Sequence, residues 1–131
     1  MRAPFLLMLF ASLALVLPLS TASAASSIEG TWSGSGTAHP KDGKPERVSC
    51  RVTYKQQSSN VYGIRATCAT SSNKINQTGS LLEVNPNRYV GDFYNAQYDV
   101  SGRVRVTVSG STQNVSFESP RGRGTVTLRK R

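Results

Sequence analysis

Histidine occurs once in this chain, tryptophan once and cysteine twice, and 7 Asp+Glu face 16 Lys+Arg. One His and two Cys leave little material for a metal cluster, which takes about four ligands. His39 sits in a Pro-flanked stretch with no second ligand type around it and reads as a solvated loop residue. Glycoside hydrolysis needs two converging carboxylates. Here Glu29, Asp42, Glu46, Glu83, Asp92, Asp99 and Glu118 are scattered. Asp92 and Asp99 fall in or beside the aromatic-rich stretch 89–98, yet read as strand-end residues facing solvent. A Gly-x-Ser-x-Gly elbow is missing as well. The expectation is a protein without catalytic residues, metal or cofactor, and not an enzyme.

Apolar residues are also scarce outside one segment. Hydrophobic content is 37% overall, but 17 of the first 24 residues are apolar and only 32 of the remaining 107. Arg2 is followed by the apolar run Phe5–Leu17, by Pro18, and by Ala22-Ser23-Ala24. A basic start, a short apolar stretch and a small-x-small site form the pattern of an export signal. The run is too short to span a bilayer, which takes about 20 residues. The expected organisation is a cleaved signal over 1–24 and one domain over 25–131, with no membrane-spanning segment after cleavage. The expected location is periplasmic or secreted. Loss of Arg2 with the signal lowers the formal charge of +9 by one. An oxidising compartment favours pairing of Cys50 with Cys68.

Helical periodicity is nearly absent, and period-two alternation broken by Gly, Pro, Asn and Ser replaces it. Thr31–Ala38 sets Trp32, Gly34, Gly36 and Ala38 on one face. The stretch His39–Pro45 reads as a loop. Arg47–Lys55 turns Val48, Cys50, Val52 and Tyr54 inward, and Val61–Cys68 does the same with Tyr62, Ile64, Ala66 and Cys68. These two segments can be registered as a hairpin. Pairing Tyr54 with Ile64, Val52 with Ala66 and Cys50 with Cys68 joins inward residues throughout, whereas a one-residue slip would flip one strand. Directly opposed residues in an antiparallel pair are close enough for a disulfide. Further strands follow in Lys74–Val84, with Gly79 as a bend, in Arg88–Tyr94, in Val100–Val108, around Val115 and Phe117, and around Val126 and Leu128. The stretch Pro120–Gly124 reads as a loop. About eight short strands predict an all-β fold: a small antiparallel up-and-down barrel, or alternatively a β-sandwich.

The Gly30-Thr31-Trp32 opening resembles lipocalins and avidins, whose Gly-x-Trp begins the first strand. The resemblance implies that Trp32 plugs one end of an eight-stranded barrel. Gly-x-Trp, then a Cys on the next strand and a second Cys eighteen residues later, also looks like small bacterial periplasmic inhibitors of metalloproteases. That resemblance implies an inhibitory N-terminal segment, here Ala25–Glu29. The span Gly30–Cys68 is similar in style to small exported bacterial β-barrel proteins of unknown function.

Aromatic residues supply one set of candidate contacts: Trp32, Tyr54, Tyr62, Tyr89, Phe93 and Tyr94, with Tyr98 nearby. Tyr joins an apolar face to a polar tip and suits a wet pocket or a barrel rim. Cations supply the other. Arg47, Arg51, Lys55, Arg65, Arg103 and Arg105 fall on outward positions, and Arg121, Arg123, Arg129, Lys130 and Arg131 gather near the C-terminus. Such a surface attracts anions. Nucleic acid is not the expected partner, because base stacking needs aromatics beside the cations and the hairpin's aromatics point inward. The expected function is a non-catalytic exported binding or envelope-associated protein with a basic surface. The expected partner is an anionic envelope component. Alternatives are a periplasmic protease inhibitor, whose partner is a protease, and a carrier of a small apolar ligand in an aromatic barrel interior.

Overall fold

The computed structural model describes residues 12–17 and 28–131. The expected signal lies largely outside the described residues, as do positions 25–27. Residues 12–17 are exposed and carry no regular structure. Among the described residues no helix is long and apolar enough to cross a membrane.

Eight strands follow in chain order: β1 (Gly30–Pro40), β2 (Glu46–Ser58), β3 (Val61–Ala69), β4 (Lys74–Asn85), β5 (Arg88–Asn95), β6 (Val100–Ser109), β7 (Thr112–Ser119) and β8 (Gly122–Lys130). Each pairs antiparallel with its sequence neighbour, and β1 pairs with β8, so the sheet closes. This is the up-and-down barrel expected from the alternation, and the sandwich alternative falls away. Alternation builds it: Val48, Cys50, Val52 and Tyr54 are buried, and the residues between them are exposed. The β2–β3 register is the one deduced from the inward residues, with Tyr54 opposite Ile64, Val52 opposite Ala66 and Cys50 opposite Cys68. The two cysteines form a disulfide, with Cα atoms 4.1 Å apart.

Three local expectations are corrected. β1 runs on through His39 and Pro40, because their positions pair with Arg123 and Gly122 of β8. β8 accordingly starts at Gly122, which shortens the expected loop there to a tight turn. Gly79 does not bend its strand away. It stays in the ladder between Ile64 and Phe93, where a Cβ would meet the Phe93 Cα at 3.1 Å. Its missing side chain lets β4 and β5 approach.

The barrel has two unlike ends. At the first, Trp32 is 1% exposed and Ile28 is 0% exposed. The Trp32 indole Nε1 donates to the Ile28 carbonyl at 2.8 Å, so the chain entering β1 is tucked under the ring. The Lys130 ammonium lies 5.8 Å from the centre of the Trp32 ring, close enough for a cation–π contact. Tyr62 and Tyr89 meet edge to face above this plug, with centroids 5.6 Å apart. Leu81, Val106, Val108 and Leu128 fill the remaining space. Toward the other end Gly102, Gly124, Gln77, Ser119 and Asn95 take interior positions beside Ile75, Phe93, Val100 and Phe117. A closed sheet whose far layers hold so little side-chain volume stays open there.

Candidate functional site: the open mouth of the barrel

A cavity of about 340 Å³ occupies the open end. Its lower wall is apolar, formed by Ala38, Ile75, Phe93, Val100 and Phe117. Phe93 and Phe117 make the floor, packed edge to face with centroids 6.3 Å apart. Cross-strand glycines hold these rings. Phe93 is opposite Gly102 and Phe117 is opposite Gly124. A Cβ on Gly102 would lie 2.6 Å from the Phe93 ring, and one on Gly124 would strike the Phe117 ring. Each Phe therefore lies over a bare patch of neighbouring backbone, an aromatic-on-glycine arrangement known to pin barrel register. Beneath the floor a second void of about 40 Å³ touches Cys50, Cys68, Tyr54, Ala66 and Val115, and it shares Gln77, Phe93 and Phe117 with the mouth.

Polar groups enter the mouth at a few points. Asn95 ends β5 and is 3% exposed. Its Oδ1 accepts the Tyr98 backbone N–H at 2.9 Å, closing the β5–β6 turn. Its Nδ2 is buried without a hydrogen-bond partner. Arg121, Arg123, His39 and Glu46 stand around the rim. Glu46 accepts from the Ser72 hydroxyl at 3.4 Å.

The aromatic candidates divide by depth. Trp32 is the plug. Tyr62 and Tyr89 belong to the filled end and do not reach the mouth. Tyr54 is 2% exposed, lines the inner void and donates its hydroxyl to Gln113 Oε1. Burial raises its phenol pKa well above the ordinary value of 10.0. Phe93 alone of the six lines the mouth. Tyr94 is corrected: alternation places it outside, 45% exposed, where it donates to Asp99 at 3.1 Å. That bond to the carboxylate raises its phenol pKa. Tyr98 lies at the rim. Ile75, Gln77, Asn95, Val100 and Phe117 complete the site, and the sequence signal for them was weak. Each is inward by alternation, but which inward residues face empty space depends on where the large side chains run out.

Arg47, Arg51, Lys55, Arg65, Arg103 and Arg105 are all exposed, as alternation requires. They do not form one surface. β2 and β6 are four strands apart in an eight-strand ring and face away from each other. The C-terminal cations are also divided. Arg121 and Arg123 stand at the mouth, while Arg129, Lys130 and Arg131 lie at the plugged end, with about 20 Å of strand between the groups. Arg103 is flanked across strands by Asp92 and Glu118, and Arg123 by Glu118 and His39. The carboxylates Asp92 and Asp99 do not converge. Asp92 is exposed on the outer face of β5, and Asp99 is in the β5–β6 turn.

The fold and its half-open interior place the chain in the class of small, closed, eight-stranded up-and-down barrels of lipocalin-like architecture. No protein-family model matches the chain, and no curated protein matches it. Solved structures do match. One is a redesigned β-barrel, mFAP1, bound to DFHBI, at 15% identity and a TM-score of 0.66, covering 82% of this chain and 98% of that one. Another is a de novo designed fluorescence-activating β-barrel, at 19% identity and a TM-score of 0.63, covering 82% and 97%. A third is Rv2717c from M. tuberculosis, at 11% identity and a TM-score of 0.59, covering 82% and 95%. At these identities the likeness is one of fold.

Proposed function

We propose that this protein is a non-catalytic, exported binding protein that holds a small apolar ligand in the mouth of its barrel. The observation that carries the reading is the cavity of about 340 Å³ with an apolar lower wall, set in a barrel whose other end is sealed by Trp32. Such concave, mostly apolar sites with a few placed polar groups are the usual form of small-molecule sites. Two redesigned barrels of the same fold, mFAP1 and mFAP0, are each bound to DFHBI, so a barrel of this size has room for a bound compound. Export is supported by the signal pattern over 1–24. The separated cations support a soluble basic exterior better than a single anion-binding face. The inhibitor alternative is less well supported. Ile28, within the segment that would have to extend into a protease, is buried under Trp32.

The test is a titration with N-phenyl-1-naphthylamine, whose fluorescence rises in apolar surroundings. Saturable enhancement is expected, and it should be lost in Ile75→Trp, which fills the mouth from β4. Enhancement that survives this substitution in a folded variant would place the probe elsewhere and remove the reading.

A further inference from the structure

The mouth is broad but shallow. Every strand except β3 lines it, so it spans the width of the barrel. Its walls are short. On β5 the wall rises from Phe93 to Asn95, on β7 from Phe117 to Ser119, and on β4 from Gln77 to Ile75. Each rise is one step between inward positions, or about 7 Å along the strand. Below the floor the interior is not full. The inner void of about 40 Å³ has Val52, Ile64, Ala66 and Val126 in its wall, and Phe93 and Phe117 line both spaces. The two rings are thus a partition between apolar spaces. They are braced on both sides. Each lies over a glycine of the next strand, Gly102 or Gly124, where a Cβ would collide with it, and the rings meet each other edge to face.

We propose that Phe93 and Phe117 set the depth of the site, so that the mouth takes compact, fused-ring apolar molecules rather than extended chains. The proposal rests on the small-ligand reading and narrows it to a ligand shape. A fused-ring molecule lies across the aromatic floor and fills the width of the mouth. An alkyl chain entering end-on meets the floor after a few methylenes, and the rest of it stays in water. Each buried methylene strengthens binding about fourfold, so the chain length at which the gain stops measures the depth.

Calorimetry with 1-hexanol, 1-octanol, 1-decanol and decahydro-2-naphthol tests it. The last two share a carbon count and a hydroxyl and differ in shape. In the wild-type protein, affinity should rise less than about threefold from 1-octanol to 1-decanol, where two further buried methylenes would give more than about tenfold. Decahydro-2-naphthol should bind about threefold or more tighter than 1-decanol. Phe117→Ala removes one ring of the partition and opens the way to the inner void. In that variant 1-decanol should gain about tenfold, and decahydro-2-naphthol should gain nothing. A wild-type rise of tenfold or more from 1-octanol to 1-decanol would overturn the proposal and leave the small-ligand reading standing. So would a fused-ring compound bound no tighter than 1-decanol, or a folded Phe117→Ala variant in which 1-decanol gains nothing or both compounds gain alike. Binding of none of the four would remove the small-ligand reading together with this one. The wild-type series decides the matter even if the variant fails to fold.

Discussion

Tyr89 shows how much one inward position changes a side chain. The residue is 1% exposed, and its one hydroxyl hydrogen has two acceptors within reach, the Pro86 carbonyl at 3.3 Å and Glu83 Oε1 at 3.5 Å. Burial pushes its phenol up to about 12, and the neighbouring Glu83 charge adds to the effect. An unfolded chain ionises the same group near 10. Below pH 10 both states hold the proton, so the interaction is fully present. As pH rises from 10 to 12 the unfolded state releases a proton that the folded state keeps, and stability falls. Denaturant titrations at a series of pH values should show this loss, and Tyr89→Phe should make the decline between pH 10 and 12 shallower. Asn95 makes the complementary point. That it faces inward can be read from the sequence, since it is two residues from Phe93. That its Nδ2 lacks a partner cannot, because this depends on which atoms the folded chain packs around it.

At the scale of the strand, alternation carries most of the information. β2 and β6 alternate cleanly, and in β3 the inward Tyr62, Ala66 and Cys68 are buried while Ile64 is half-buried. The β2–β3 register was readable because only one pairing puts two cysteines and two apolar sets on the same side. The glycines were harder to read. In a sequence, Gly34 and Gly36 look like weak points in a strand. In the barrel they are where β1 crosses closest to β8. A Cβ on Gly36 would fall on the Thr125 carbonyl oxygen, and one on Gly34 on that of Thr127. Bulkier residues here would force β1 away from β8. Gly36→Ala is expected to destabilise by about 1–3 kcal/mol, the usual cost of overpacking, as read from the urea midpoint. Glycine tolerance could not be inferred from composition, since the same residue marks turns elsewhere in the chain.

The described strands form a closed ring with a lean core, and its eight ladders leave none of these strands with an exposed edge. The Cys50–Cys68 bridge spans 18 residues and joins adjacent strands near the inner void. Cross-linking a loop of that size constrains the unfolded chain by roughly 3 kcal/mol in the chain-entropy model. The double variant Cys50→Ser, Cys68→Ser should lose stability of that order, measured by thermal or urea unfolding. A closed ring should still unfold in one step. The distribution of charge belongs to this scale too. Cations that are neighbours along the chain, Arg123 and Arg129, end on opposite poles because a strand intervenes. Cations far apart in the chain, Arg65 and Arg103, remain apart because the ring separates β3 from β6.

The pairing of β1 with β8 also decides where the chain enters and leaves. The Arg131 N–H donates to the Thr31 carbonyl at 2.9 Å, so the first and last strands depart side by side from the plugged pole. The turns after β1, β3, β5 and β7 surround the other pole. A partner domain, tether or label joined after Arg131 would therefore start behind the Trp32 plug, and the entrance would face away from it. The ring could equally be rejoined at those two ends and cut within the turn at 41–45, which would give a permuted chain with the same eight neighbours and its new ends beside the mouth.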